Sequence, residues 1–176
     1  MFNARGEVGS LPLAAVTDGP MSVEMLTGNT TIDAEHEQLY AILKAARSVC
    51  LDAARFENCV ACSEARRAGC ENQLVGLLGD LLSFILEHFK TEESFMRESL
   101  LIMVDRLLCE THMEDHAAIS SRIERLVAAL DSTRTVSLLR ELDQIFGRWV
   151  IRHVATHDMA LVHWIEREDS ALRSGF

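Results

Sequence analysis

Only two prolines are present, Pro12 and Pro20. Proline removes a helical hydrogen bond and its ring clashes with the preceding turn, so from residue 21 onward no proline interrupts a long helix. Strand patterning is missing too: Val, Ile, Tyr and Thr do not alternate with polar residues over a strand length anywhere in the chain. No apolar run reaches the roughly 18 residues of a membrane span. A basic face is lacking, since the net charge is −10. That argues against nucleic acid as a partner and against an anionic membrane surface. Residues Met1–Val8 lack the basic-then-apolar layout of a secretory signal, which makes a cytoplasmic protein the expectation. In that compartment the cysteines at 50, 59, 62, 70 and 109 are expected as thiols or metal ligands rather than disulfides.

What is present is helical periodicity. The 176 residues suffice for one domain with a full core. Residues 1–25 carry Gly6, Gly9, Pro12, Gly19 and Pro20 without a period and read as an arm or linker. The domain proper is expected over 26–168, with a frayed tail over 169–176. Thr31 or Asp33 is expected to cap helix A, over about 33–55, whose apolar stripe is Ile32, His36, Leu39, Leu43, Ala46 and Cys50. The polar, cysteine-bearing stretch 56–70 reads as an elaborated connection, with Gly69 as a breaker. Helix B is expected over 71–97, with Leu74, Leu78, Leu81, Ile85, His88, Glu92 and Met96 on one face. Helix C covers 105–130, with Leu108, His112, His116, Ile119, Ile123, Leu126 and Leu130. Helix D covers 135–168, with Leu138, Leu142, Ile145, Trp149 and His153. Beyond His153 the pattern slips by one residue to Asp158, Leu161 or Val162, and Ile165, which fits either a π-bulge or an ordinary helix whose two side chains reach around.

Four helices with mostly short connections predict an all-α, antiparallel, up-down-up-down four-helix bundle. In that topology the start of A, the end of B, the start of C and the second half of D meet. His36, His88, Glu92, His112, His116, His153 and Asp158 then fall at one end of the bundle, all on otherwise apolar stripes. Burying such groups singly costs several kcal/mol each, and unrelated core histidines have no reason to agree in level. A metal centre explains both facts. Residues at i and i+4 on a helix point the same way, so His88/Glu92 and His112/His116 each converge. Five imidazoles and two carboxylates exceed the needs of one ion and suit two, with the carboxylates as bridges. Nitrogen-rich ligation with carboxylates suits iron, with manganese or zinc as alternatives. The Glu-x-x-His pairs of ferritin-like di-iron bundles are absent.

The combined pattern resembles the hemerythrin family, specifically its bacterial domains. The matching stretches are Ile32-Asp33-Ala34-Glu35-His36, His88 through Glu92 to Met96, His112-Met113-Glu114-Asp115-His116, Trp149-Val150-Ile151-Arg152-His153, and Asp158. The resemblance covers about residues 26–166. It implies two iron ions joined by an oxo or hydroxo group, with O2 bound reversibly at one open iron. His112, His116 and His153 would hold the saturated iron and His36 and His88 the open one. Glu92 and Asp158 would bridge them, and Trp149 and Val150 would wall the O2 pocket. An oxygen carrier, store or sensing domain is implied rather than an enzyme, apart from weak peroxidase or oxidase side activity. A sensor would need an output domain or signalling partner; the oligomeric state is left open.

Two departures from the family stand out. Its members often carry a tryptophan shortly before helix A, and Met21–Leu26 contains none. The segment Cys50–Cys70 is not part of the minimal pattern. Cys50, Cys59, Cys62 and Cys70 read first as ordinary thiols, with a site for zinc or another metal and a redox-active or disulfide-forming set as the alternatives. Cys109 and the methionines 96, 103, 113 and 159 read as packing. His157 and His163 read as outer or partly exposed groups, with His157 an alternative ligand to His153. The alternatives to O2 binding are a di-iron redox or iron sensor and a di-iron enzyme reducing peroxide or nitric oxide.

Overall fold

A computed structural model describes residues 19–50 and 56–174. Most of the expected arm, the expected end of helix A over 51–55, and residues 175–176 lie outside the described residues. Those described form helices and no strand. A 3₁₀ turn, Val23–Met25, leads into α1 (Thr30–Ser48), α2 (Glu64–Glu98), the single turn α3 (Leu101–Val104), α4 (Arg106–Ala128) and α5 (Thr135–His153). A π-helical turn, Val154–Asp158, joins α5 directly to α6 (Met159–Arg173). This joined unit is the fourth long helix. α2 packs against α1, α4, α5 and α6, and α4 and α1 also contact α5, so the long helices share one core.

Several boundaries differ from those expected, each for a local reason. Asn29 caps α1, its side chain accepting from the amides of Thr31 and Ile32. Asp33 instead holds the preceding loop, accepting from Thr27 N at 2.7 Å and Gly28 N at 3.1 Å. α2 begins earlier than the apolar stripe suggests, because Ser63 supplies an N-cap that accepts from Arg66 N. Gly69 is inside this helix and does not break it, since mid-helix glycine costs only about 1 kcal/mol. The final helix continues to Arg173 rather than fraying at Asp169. On α5 the buried stripe runs through Leu142, Phe146 and Trp149, with Ile145 only half-buried. Both Leu161 and Val162 are buried on α6. Met103 is 80% exposed and fills no core space.

The larger part of the core is built from Leu39, Leu43, Leu78, Leu81, Ile85, Ile119, Ile123, Leu142 and Phe146. A smaller cluster of Met96, Leu101, Cys109 and Leu161 lies under the α2–α4 connection, which confirms Cys109 as packing. Ser99 closes α2 there by donating its hydroxyl to Phe95 O at 2.7 Å, and Trp164 of α6 donates to Ser99 O at 2.9 Å. Leu100 is next along the chain, with φ 56°, in the left-handed region. The polar stripe residues lie between these two clusters.

Candidate metal centre

All seven stripe residues converge. His36, His88, Glu92, His112, His116, His153 and Asp158 are each at most 3% exposed. Two groups of donor atoms lie within 4.8 Å of one another: Glu92, His112, His116 and His153, and then His36, His88, Glu92 and Asp158. The carboxylates join the groups atom by atom. Glu92 Oε2 stands 2.9 Å from His116 Nε2 and 3.2 Å from His112 Nε2, while its Oε1 faces His88 Nε2 at 3.6 Å. Asp158 Oδ1 stands 3.0 Å from His153 Nε2 and 3.4 Å from His112 Nε2, while its Oδ2 faces His36 Nε2 at 3.3 Å. Each carboxylate therefore turns one oxygen to a three-histidine side and the other to a two-histidine side.

The π-helical turn makes this possible. In an α-helix residues five apart point away from one another, about 140° around the axis. A turn with i→i+5 bonding brings them to one side, and so Asp158 reaches the same centre as His153.

Outer partners fix three of the five imidazoles, while Nδ1 of His112 and of His116 has no hydrogen-bond partner. His36 Nδ1 lies 2.7 Å from Met25 O, His88 Nδ1 2.8 Å from Glu35 Oε2, and His153 Nδ1 2.9 Å from Asp115 Oδ2. In the tautomer that donates from Nδ1, each of these rings turns the lone pair of Nε2 inward. Asp115 is itself held by Trp149 Nε1 at 2.6 Å and Arg152 Nη2 at 2.7 Å, and Glu35 by Thr91 Oγ1 at 2.8 Å. Met25, fully buried, occupies the region where the family's tryptophan was missing and supplies a carbonyl to a ligand histidine.

The charge state of the centre reflects this crowding. Burial alone would raise the carboxyl of Glu92, as would the neighbouring Asp158; the imidazoles of His88, His112 and His116 outweigh both and hold it far below its ordinary value. Asp158 is held down in the same way by His112, His153 and His36 against the effect of burial. Burial lowers His153, but its hydrogen bond to Asp115 and the nearby carboxylates of Asp158 and Glu92 win and raise it to about 11. Burial dominates at His116, which falls to about 4. Protons thus offset the carboxylate charge where cations otherwise would.

The donors fit cations better than they fit protons. His36 Nε2 and all four oxygens of Glu92 and Asp158 are buried without a hydrogen bond, although ion-pair distances surround them. Donors bound at about 2.1 Å to one divalent ion stand about 3 Å apart, close to the spacings found here. Two ions sharing Glu92 and Asp158 would satisfy every orphaned oxygen.

Apolar rings close the centre. Phe89 stacks on His116 with centroids 3.6 Å apart and lies 5.9 Å from His88, against which Phe84 also stacks at 5.8 Å. Trp149 stacks on His153 at 4.5 Å, which puts it on the three-histidine side. Val150 is buried in the core. His157 stacks on His112 at 5.0 Å and forms a third donor group with Asp115 and His153, so it is an outer neighbour of the three-histidine side. His163 is exposed.

Sequence reasoning placed all seven inner residues together but missed the partners Glu35, Thr91, Asp115, Phe84, Phe89 and the Met25 carbonyl. Glu35 and Asp115 had a signal, an acid directly preceding a ligand histidine on its helix. The Met25 carbonyl had none, because any residue has one.

A family model described as the hemerythrin HHE cation binding domain matches residues 27–165. No curated protein and no solved structure matches the chain.

Proposed function

The chain belongs to the hemerythrin HHE cation-binding family, and on that premise we propose that it is a non-haem di-iron protein that binds O2 reversibly, as an oxygen carrier, store or sensing domain, and is not an enzyme. The observation that carries this reading is the inequality of the two sides. Glu92 belongs to both, and Asp158 of the second turns Oδ1 to His153 at 3.0 Å and His112 at 3.4 Å in the first, yet one side has three histidines and the other only His36 and His88. The two-histidine side therefore has fewer protein donors and is where a small ligand has room. A pair of ferrous ions, one held by each set of residues, would supply the electrons that O2 takes up and returns.

The protein's own part is positional and dielectric. Glu92 and Asp158 hold the two sides together, and Met25 O and Glu35 orient His36 and His88. Phe84 and Phe89 keep water from the two-histidine side, which slows irreversible oxidation of such a centre. The family's fold supports iron over other cations, and the donor set agrees: imidazole and carboxylate suit it better than an all-oxygen cage would. The peroxide-reducing alternative needs a proton donor beside the open side. The half-buried imidazole His157 stacks instead on His112 and lies tilted against His153, on the three-histidine side.

The test is the visible spectrum of iron-loaded protein, reduced without oxygen and then exposed to air. A coloured adduct that disappears when O2 is removed, and that is lost in His88→Ala, is the expected result. Immediate oxidation without a reversible adduct would replace O2 binding by a redox role, and sustained peroxide turnover would replace it by catalysis.

A further inference from the structure

Away from the histidine centre, four more soft donors meet. Cys50 lies just past the end of α1, Cys59 and Cys62 lie on the loop before α2, and Cys70 is in the first turns of α2. All four line one small cavity, together with Arg66 and Arg67. Along α1, Cys50 is about 20 Å from His36 at 1.5 Å per residue, so this pocket occupies the other end of the bundle. We propose that it is a zinc site, with Cys50, Cys59, Cys62 and Cys70 as its four thiolate ligands.

The comparison with Cys109 shows why ordinary packing is a poor account. Cys109 is fully buried and isolated among Met96, Leu101 and Leu161, as a small apolar side chain should be. The other four come from three separate stretches and face one another, and Cys62 and Cys70 remain partly exposed. Four thiols around one cavity match the closed tetrahedral set of structural zinc, with the Cys59-x-x-Cys62 pair as its usual turn. That turn is built: Cys62 N donates to Cys59 O at 3.0 Å, and Cys59 N donates to Thr133 O at 3.1 Å. It is tied to α5 as well, Ser137 Oγ donating to Glu57 O at 3.4 Å.

Charge separates zinc from a pair of disulfides. All four thiols are free, and two disulfides would be neutral. A zinc ion with four thiolates carries a net charge of −2, which cations in the lining offset. Arg67 Nη1 donates to Cys62 O at 2.9 Å, which holds one guanidinium at the rim. In the metal-free pocket burial raises the Cys70 thiol, and Cys50, Cys59 and Cys62 add to the rise while Arg66 opposes it. The Cys70 thiol therefore keeps its proton until a cation arrives. On binding, four S–H protons leave to solvent as four Zn–S bonds form, and no electrons move.

Among the described residues the thiols are not yet gathered into a group within 4.8 Å, as the histidines are. Zinc–sulfur bonds of about 2.3 Å place sulfurs about 3.8 Å apart, so binding draws the pocket closed around the anchored Cys59 turn.

The experiment uses the full chain, purified and handled without oxygen, loaded with iron and titrated with Zn²⁺ and separately with Co²⁺. The expected result is about one tightly held zinc per chain beyond the iron. Cobalt in its place should give intense thiolate-to-metal absorption, which a histidine–carboxylate site cannot produce. Cys59→Ser combined with Cys62→Ser should weaken zinc binding more than 100-fold and leave iron per chain unchanged. Should that variant fail to fold, the cobalt spectrum of the unaltered protein decides by itself. Absence of the thiolate band, zinc retained by the double variant, iron rather than zinc on the cysteines, or disulfides among these four under anaerobic handling would each overturn the proposal.

Discussion

The two ends of this bundle gather soft and borderline donors in opposite ways. At one end seven side chains are buried on helices and converge within 4.8 Å in two groups, and Met25 O, Glu35 and Asp115 fix the orientation of three of them, His36, His88 and His153. At the other end four thiols from a loop and two helix ends line a cavity without converging, and two of them remain partly exposed. The difference is one of preorganisation. A centre that must keep a position open for an exchanging ligand has to be held by the protein, because the ions alone would collapse onto every donor available. A closed structural site can let its ion do the gathering.

The largest break in that comparison is Glu92→Ala. It removes an oxygen from both sides at once, and iron content is expected to fall from two per chain to none retained, a loss of affinity beyond about 100-fold. Iron analysis after gel filtration reads this, and zinc at the cysteine end should be unaffected. Asp115→Asn comes next. It keeps the shape but weakens the partner of His153 and the acceptor of Trp149 and Arg152. A drop of about 10- to 100-fold in iron affinity is expected, measured by chelator competition and confined to the three-histidine side.

pH sharpens the comparison further. In the metal-free centre His153 is raised to about 11. Its contribution to stability is fully present below its ordinary value of 6.5 and is lost as pH rises through about 11. Iron must displace that proton, so affinity is expected to rise with pH, by up to about tenfold per unit from this group. The cysteine end, with four thiol protons to lose, should rise more steeply. At the acid side, burial would raise Asp115, but its bonds to His153 and Trp149 and the charge of Arg152 bring it to about 2. Its contribution is present above 3.8, its ordinary value, and is lost as pH falls through about 2. Thermal melts of metal-free protein across this range check both signs.

The smallest effect concerns backbone alone. Leu100 is 58% exposed and sits at φ 56°, where a β-carbon costs about 1 kcal/mol. Leu100→Gly is expected to raise the melting temperature by about 2–4 °C and to leave metal content at both ends unchanged.

How far the sequence could be read divides along the same lines. The inner residues were legible because apolar stripes on four helices carry a phase, and His36, His88, Glu92, His112, His116 and His153 interrupt those stripes at one level. The slip between His153 and Asp158 was visible too, but periodicity left a π-type turn and an ordinary helix with both side chains reaching around as alternatives, and the structure has the former. The start of α2 was not, because Ser63 through Gly69 has no apolar period, and the helix there rests on its cap and on continuity with the apolar stripe that begins at Leu74. Trp149 was assigned as a pocket wall from the family resemblance alone, and whether a ring stacks on His153 or on His88 depends on rotamers and helix rotation that no periodicity encodes. The cysteines could be counted but not placed, since three separate stretches must meet before a cavity exists.

The most direct test of the account is anomalous diffraction at the iron edge from crystals of iron-loaded protein. It predicts two iron peaks at the histidine end, one beside His112, His116 and His153 and one beside His36 and His88, with Glu92 and Asp158 between them. A single peak, or peaks that do not share those two carboxylates, would contradict it.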